Sequence, residues 1–207
     1  MGLTVIKHAL ANHHLKTLRD KSTRCEEFRR ATDAITRLLV IEATRELYCE
    51  DVVVETPITT TTCQVADTRV LVVPILRAGL GMLDSTLREL PDAVVGYVGL
   101  ERDHETARAS SYYEKLPETA DIRMAIVLDP MLATGGSADH ALNIIGASGI
   151  KRIVLLNVVC APEGVAKIVK NQPIVEIFTA ALDARLDKNS YIVPGLGDYG
   201  DRLYGTN

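Results

Sequence analysis

The sequence predicts an α/β fold, a parallel sheet flanked by helices, with a small hood or ribbon as an appendage. Two observations carry this. Short runs rich in Val and Ile, namely RVLVVPIL, AVVGYVGL, RMAIVLD, KRIVLLNVV and IVEIFTA, alternate with helix-like or polar segments. Continuous apolar strands in such alternation belong to a parallel sheet covered on both faces. With 207 residues, 47% hydrophobic and 24% charged, the chain can fill one sizeable core but hardly two, so one domain is expected over residues 1–207.

The elements follow in order. Thr23-Arg24-Cys25-Glu26 has capping-box form, and Phe28, Ala31, Ile35, Leu38 and Leu39 recur at helical spacing, which predicts a helix from about Ser22 to the mid-forties. Beyond Pro57, ITTTTCQ suits an exposed ribbon, because threonine favours strands and brings little to bury. RVLVVPIL leads into the helical LGMLDSTLREL, and AVVGYVGL into Gly99–Glu118, a polar stretch without periodicity that reads as a lid-type loop. RMAIVLD precedes a helix opening at about Ala138, and KRIVLLNVV precedes PEGVAKIVKN, with Pro162 in its first turn. IVEIFTA ends the series of strands.

Composition narrows the function classes. A net charge of −4 removes the general attraction of basic proteins for nucleic acid, so no nucleic-acid partner is expected, though a few arginines can still hold small anions. Cys25, Cys49, Cys63 and Cys160 are scattered, without C-x-x-C spacing, and read as reduced packing residues. The N-terminal stretch has no apolar run of signal-peptide length, Ile6 breaks the myristoylation pattern after Gly2, and nowhere do about 18 apolar residues follow one another. A cytoplasmic protein without membrane partners is the expectation. His13 and His14 read as solvent-facing, His104 as a surface residue of the polar stretch, and His8 and His140 carry no separate signal.

In open α/β sheets ligands sit beyond the carboxyl ends of the strands. The junction IVLDPMLATGGSADHALNII is therefore the most informative. A strand ends at Asp129, Thr134-Gly135-Gly136-Ser137 forms a short loop, and a helix opens. Two glycines let main chain approach a ligand, while Thr134, Ser137 and the first helical turn supply donors for a phosphate. No G-x-x-x-x-G-K is present, and T-G-G-S alone is equally a turn with a helix cap. At the C-terminus, Gly195-x-Gly197-x-x-Gly200 copies the dinucleotide fingerprint. Too little chain follows for the helix, strand and acidic residue which that motif needs.

Joined to V-L-D-P, the loop resembles the phosphoribosyl pyrophosphate loop of the type I phosphoribosyltransferases, in the D-P-M-L-A-T-G-G-S form of the uracil phosphoribosyltransferases. VVPILRAGLGMLD resembles the same family's second motif and YIVPGLGDYGDRLYGT its uracil-binding tail, with smaller agreements at KHAL, STRCEEFR, VETPI, YYEKLP and APEG. The resemblance implies the type I phosphoribosyltransferase fold and transfer of a phosphoribosyl group to uracil in UMP salvage. It implies that Asp129 holds the ribose hydroxyls and that Pro130, Met131, Leu132, Ala133, Thr134, Gly135, Gly136 and Ser137 complete the donor loop, Thr134 to Ser137 cradling the 5′-phosphate. Arg77 and Arg102 take the pyrophosphate. Ile192, Gly197, Asp198 and Tyr199 contact uracil, with Asp198 also facing the donor. Asp129, Arg77 and Asp198 form the implied catalytic set. Magnesium is implied as arriving with the donor, on no protein metal site, and the family further implies a homo-oligomer and GTP as a possible effector.

Tyr199 stands where the family commonly has alanine, and its phenol is expected to lie flat along the wall of the base pocket. Glu101 and the ARASS segment also depart from the family pattern. Two other readings stay open: a phosphoribosyltransferase for another base, and a non-catalytic regulator on this fold that binds nucleotides or RNA. For the latter, Arg24, Arg29, Arg30 and Arg37 make a partly basic helix face, interrupted by Glu26, Glu27 and Asp33.

Overall fold

The computed structural model describes residues 2–102 and 109–206, and for 101, 102 and 109–111 the backbone alone. The chain opens with strand β1 (Leu3–Val5), helices α1 (Ala9–Arg19) and α2 (Cys25–Ala43), and strands β2 (Cys49–Glu55) and β3 (Thr60–Ala66). Then come β4 (Leu71–Leu76), α3 (Leu80–Glu89), β5 (Val94–Val95), β6 (Tyr97–Arg102), β7 (Ala109–Lys115), β8 (Met124–Leu128) and β9 (Met131–Leu132). The remainder is α4 (Gly136–Gly146), β10 (Arg152–Cys160), α5 (Pro162–Asn171), β11 (Val175–Leu182), β12 (Arg185–Leu186), β13 (Ile192–Val193) and α6 (Tyr199–Tyr204).

The main sheet runs β1-β11-β10-β8-β4-β6-β7, with β5 beside β4 and β9 beside β10. All its pairings are parallel except β6 with β7. Successive side chains of a strand point to opposite faces, and the two cores obey this. Met124, Ile126 and Leu128 pack with α1, α2, α3 and α6 through Leu18, Phe28, Ile35, Met82 and Leu203. Ala125 and Val127 pack with α4 and α5 through Ala141, Leu142, Ile145 and Ile168. The central strands β4, β8 and β10 are apolar on both sides because each side meets helices.

From β4 the chain moves to β6 on one side, and from β8 it moves to β10 on the other. The ends of β4 and β8 therefore flank the point where the winding reverses, the place at which open α/β sheets leave a crevice for ligands.

Several local expectations shift. Helix α2 starts at Cys25, and the carboxylate of Glu27 accepts the N–H of Arg24 at 3.2 Å. The Thr23 hydroxyl turns back to donate to the Thr17 carbonyl at 2.6 Å, so the cap sits one residue later than the motif indicated. Helix α4 opens at Gly136 rather than Ala138. The polar stretch after β6 is not structureless throughout, since β7 pairs antiparallel with β6 from Tyr97↔Lys115 to Arg102↔Ala109. His104 lies outside the described residues. Strands β2 and β3 form the expected ribbon as a separate antiparallel pair, exposed along its whole length. Cys49 and Cys63 stand exposed on it, so they are not packing residues, whereas Cys160 is buried; none of the four thiols is paired. His8 proves to be the N-cap of α1, its Nδ1 accepting the Leu10 N–H at 3.2 Å.

Candidate active site

Asp129 is the first residue beyond β8, one strand from β4. Its main chain is held on both sides, its N–H donating to the Leu156 carbonyl at 3.1 Å and its carbonyl accepting from the Asn157 amide. Although the residue keeps some exposed surface, surrounding protein leaves the carboxyl poorly solvated. Burial pushes its pKa up to about 7, against a hydrogen bond from the Met131 N–H that pulls it down. The carboxyl is thus poised near neutrality without a second acid beside it in the loop.

After Asp129 and Pro130, β9 runs along the end of β10, and the chain then turns through Gly135 at φ 73° into α4. The first-turn N–H groups of a helix have no intrahelical acceptors; at the start of α4 these belong to Gly136, Ser137 and Ala138, and Thr134 and Ser137 bring hydroxyls to the same junction. The loop rests on α5 at Gly164. A Cβ there would lie 2.4 Å from the Ala133 carbonyl and 2.9 Å from the Leu132 carbonyl, so the approach requires glycine.

Arg77 follows β4 directly, is exposed and makes no ion pair with a described residue. Its carbonyl accepts the hydroxyl of Tyr204 at 3.0 Å, which ties this loop to the C-terminal helix. The Leu76–Arg77 peptide is cis. Arg102 is the last residue of β6, and its side chain lies outside the described part of the structure. Arg77 and Asp129 therefore share the reversal point of the sheet, and the backbone of Arg102 lies on the next strand out.

A cavity of about 250 Å³ is lined by Met131 and Ala133 of the loop, by Asn189 to Ile192, and by Gly197, Asp198 and Tyr199. The two sequence groups assigned to donor and base thus meet around one space. A larger open cleft of about 1060 Å³ borders Asp67, Arg69, Asp121, Arg123 and Lys151. That cleft lies at the opposite, N-terminal ends of the strands, away from the reversal point. The Asp187 carboxylate accepts the N–H groups of Asn189 and Tyr191, each at 2.8 Å, and so fixes the turn whose residues line the smaller cavity. Asp198 is exposed and caps α6 through the Asp201 N–H at 2.9 Å.

Tyr199 differs from expectation. Its side chain is 2% exposed, its ring meets Phe28 edge to face at 5.2 Å, and its hydroxyl bonds Thr32 Oγ1 at 2.9 Å. The phenol points away from the cavity into the core against α2, because an aromatic ring with a satisfied hydroxyl gains more from burial there than along a polar wall.

Sequence reasoning missed the residues that hold the tail. Arg19 donates to both carboxylate oxygens of Asp183, at 2.6 and 2.9 Å, and to the Gly195 carbonyl at 2.7 Å. The Gly195 N–H donates to Asp183 at 2.8 Å, and Gly195 itself has φ 59° with no room for a Cβ beside the Ile192 carbonyl. Arg202 donates to the carbonyls of Leu18, Asp20 and Leu196. Asp183 follows the apolar strand β11 just as Asp129 follows β8, so reading every strand end would have found it. Arg19 has no such signal. Among the described residues, no group of three or more His, Cys, Asp or Glu side chains could hold a metal, and no helix is long and apolar enough to cross a membrane.

Comparison with known proteins bears on this geometry. The family model described as uracil phosphoribosyltransferase matches residues 5–206. A protein of that name from Campylobacter curvus is 46% identical over 205 residues, covering 99% of both chains. Another from Listeria innocua is 49% identical over 203 residues, covering 98% of this chain and 97% of its own. Among solved structures, a protein of Aquifex aeolicus superposes with a TM-score of 0.93 at 36% identity, over 99% of each chain. A hypoxanthine-guanine phosphoribosyltransferase from Bacillus anthracis superposes at 0.52 with 9% identity, over 74% of this chain and 78% of its own, which speaks to the fold alone. A match that spans all three long motifs, together with the strand-end geometry just described, makes this chain a member of the uracil phosphoribosyltransferase family.

Proposed function

We propose that this chain joins uracil to the phosphoribosyl group of phosphoribosyl pyrophosphate, giving UMP and pyrophosphate. The observation that carries the reading is the single cavity on which Met131 and Ala133 of the donor loop meet Ile192, Gly197 and Asp198 of the tail. In the reaction the bond from the anomeric carbon to pyrophosphate breaks, the bond to uracil N1 forms, and N1 gives up its proton. Positive charge builds on the ribose ring, and the carboxylate of Asp129 is well placed to hold the ribose hydroxyls and oppose that charge. Thr134 to Ser137 and the start of α4 cradle the 5′-phosphate. Arg77, with Arg102, holds the leaving pyrophosphate, for which a guanidinium fork is suited.

Uracil presents two carbonyl acceptors flanking an N3–H donor, and the exposed main chain around Gly197 can meet that edge with its own N–H and C=O groups. Cytosine would bring an amino group where a buried N–H expects a carbonyl, a mismatch that such sites reject strongly. Magnesium enters with the donor. The donor set fits this, because Asp129 is the loop's single carboxylate and magnesium keeps several waters beside substrate phosphates. When bound, it neutralises the departing pyrophosphate.

The ribbon supports a homo-oligomer. A lone two-stranded hairpin is marginal in water, yet Val53 is 72% and Ile58 92% exposed on this one, and a second copy of the chain would cover them. Light scattering of Val53→Asp/Ile58→Asp against the parent tests that. The family resemblance supports GTP as an effector, checked by turnover at limiting donor with and without GTP. Exposed free thiols at Cys49 and Cys63 suit the reducing cytoplasm. Incubation with labelled uracil, donor and magnesium tests the central reading. Formation of UMP is expected. Ribosylation of another base instead, or of none, would overturn it in favour of the other-base transferase or the non-catalytic binder respectively.

A further inference from the structure

The donor loop from Asp129 to Ser137 contains no basic residue, although the group it is proposed to cradle is a phosphate dianion. The two arginines named above are committed to the pyrophosphate end. The helix N-terminus supplies only about half a unit of positive charge, so a full cation near the loop would strengthen the site considerably.

Helix α5 supplies one. Lys167 is half-buried, and its Nζ lies 3.9 Å from the position a Cβ would take on Gly136, the first residue of α4. It reaches the loop because Gly164, one turn earlier on α5, lets the loop settle on the helix. Its ion-pair partner is Asp139, at 3.7 Å. The Asp139 carboxylate is already served by closer donors, the Asn171 amide at 2.9 Å and the Gln172 amide at 3.0 Å. These bonds pin the end of α5 to the start of α4 and leave the lysine as the loosest of the contacts. A long flexible stem with three rotatable donors can turn its ammonium toward an anion in the loop without disturbing that anchor.

We infer that Lys167 is a substrate-binding residue, the cation that meets the 5′-phosphate of the phosphoribosyl donor and of the nucleotide product. This deepens the transferase reading and rests on it for the identity of the phosphate.

The test compares the parent with Lys167→Met, which keeps the aliphatic stem, and Lys167→Arg, which keeps the charge. Lys167→Met should raise the KM for donor and the Kd for UMP about tenfold, the scale of one lost charge-assisted contact. The KM for uracil, the Kd for uridine and the melting temperature should stay close to the parent's. Lys167→Arg should restore most of the phosphate affinity, and the difference between parent and Met variant should shrink at high salt. Donor and UMP affinities unchanged in Lys167→Met, or equal losses for uridine and UMP, would overturn the assignment. Calorimetric binding of ribose 5-phosphate needs no turnover. A protein that binds it through Lys167 but never forms UMP would therefore refute the transferase activity while leaving this site intact.

Discussion

Asp129 works under two opposed demands. Burial holds its carboxyl up at about 7, whereas opposing the charge on a ribosyl transition state calls for the carboxylate. For the parent, kcat/KM for the donor should rise with pH through about 7, and Asp129→Asn should flatten that rise while losing about 10²-fold or more. Initial rates across neutrality would measure both; a variant within threefold of the parent would remove the role. The stability effect runs the other way. A carboxyl raised from 3.8 to about 7 binds its proton more tightly in the folded state, so its favourable contribution is complete below the unfolded value and is lost as pH climbs through the folded one. Asp129→Asn should consequently melt above the parent at about pH 8, with the gap closing toward about pH 4. Calorimetry that found no gap at the higher pH would mean the charge is better solvated than its surroundings indicate. Tyr199 invites a different expectation. With its hydroxyl on Thr32 and its ring on Phe28, Tyr199→Phe should cost about 1–2 kcal/mol in urea unfolding and leave the ratio of kcat/KM for uracil and cytosine unchanged. Asp129 was legible because a strand end and a glycine loop announce it locally. The direction of the Tyr199 ring was not, because the partner that draws it inward is 167 residues away.

At the level of elements, the strands were the most legible part, since runs such as RMAIVLD are apolar on both faces and can only be central. The β6–β7 pair was not, because ASSYYEK is polar and its described residues are exposed, so no alternation marks it. The contact between α5 and the donor loop was also invisible. APEG reads as a helix start, but nothing local states that its glycine must carry two carbonyls of another segment. Gly164→Ala puts a Cβ 2.4 Å from the Ala133 carbonyl, and main chain on both sides leaves no side-chain end to yield. The loop or the helix must move, with an overpacking cost of about 1–3 kcal/mol. Because a small misplacement of a binding loop is expensive in rate, donor KM should rise about tenfold or more, the scale of one lost phosphate contact, with uracil KM much less affected. Equal effects on both substrates would show that the loop and the base cavity move as one body.

On the scale of the whole molecule, the tail that bounds the base cavity is held by the beginning of the chain. Arg19, at the end of α1, grips Asp183 and Gly195, 164 and 176 residues away, while Arg202 reaches back to the carbonyls of Leu18 and Asp20. The donor loop depends on none of these bonds, being held by β10 and α5 instead. Donor and base sites should therefore fail separately. Asp183→Asn tests this with little change in volume. The variant replaces a carboxylate that accepts from Arg19 and from the Gly195 N–H with a side chain that has one accepting oxygen and no charge. Asp183 is 8% exposed and Arg19 is also partly buried, so removing one partner of the pair should be costly, about 3 kcal/mol at the lower end for breaking a buried ion pair. The cost should appear as a lower melting temperature together with a raised uracil KM, as Gly195 and the residues after it lose their anchor. Binding of ribose 5-phosphate should stay near the parent value, because β8, β9 and the start of α4 are untouched. Should ribose 5-phosphate binding weaken as much as uracil binding, the tail and the donor loop would share a common support that this pattern of hydrogen bonds does not contain, and the division of the site into two independently held halves would be wrong.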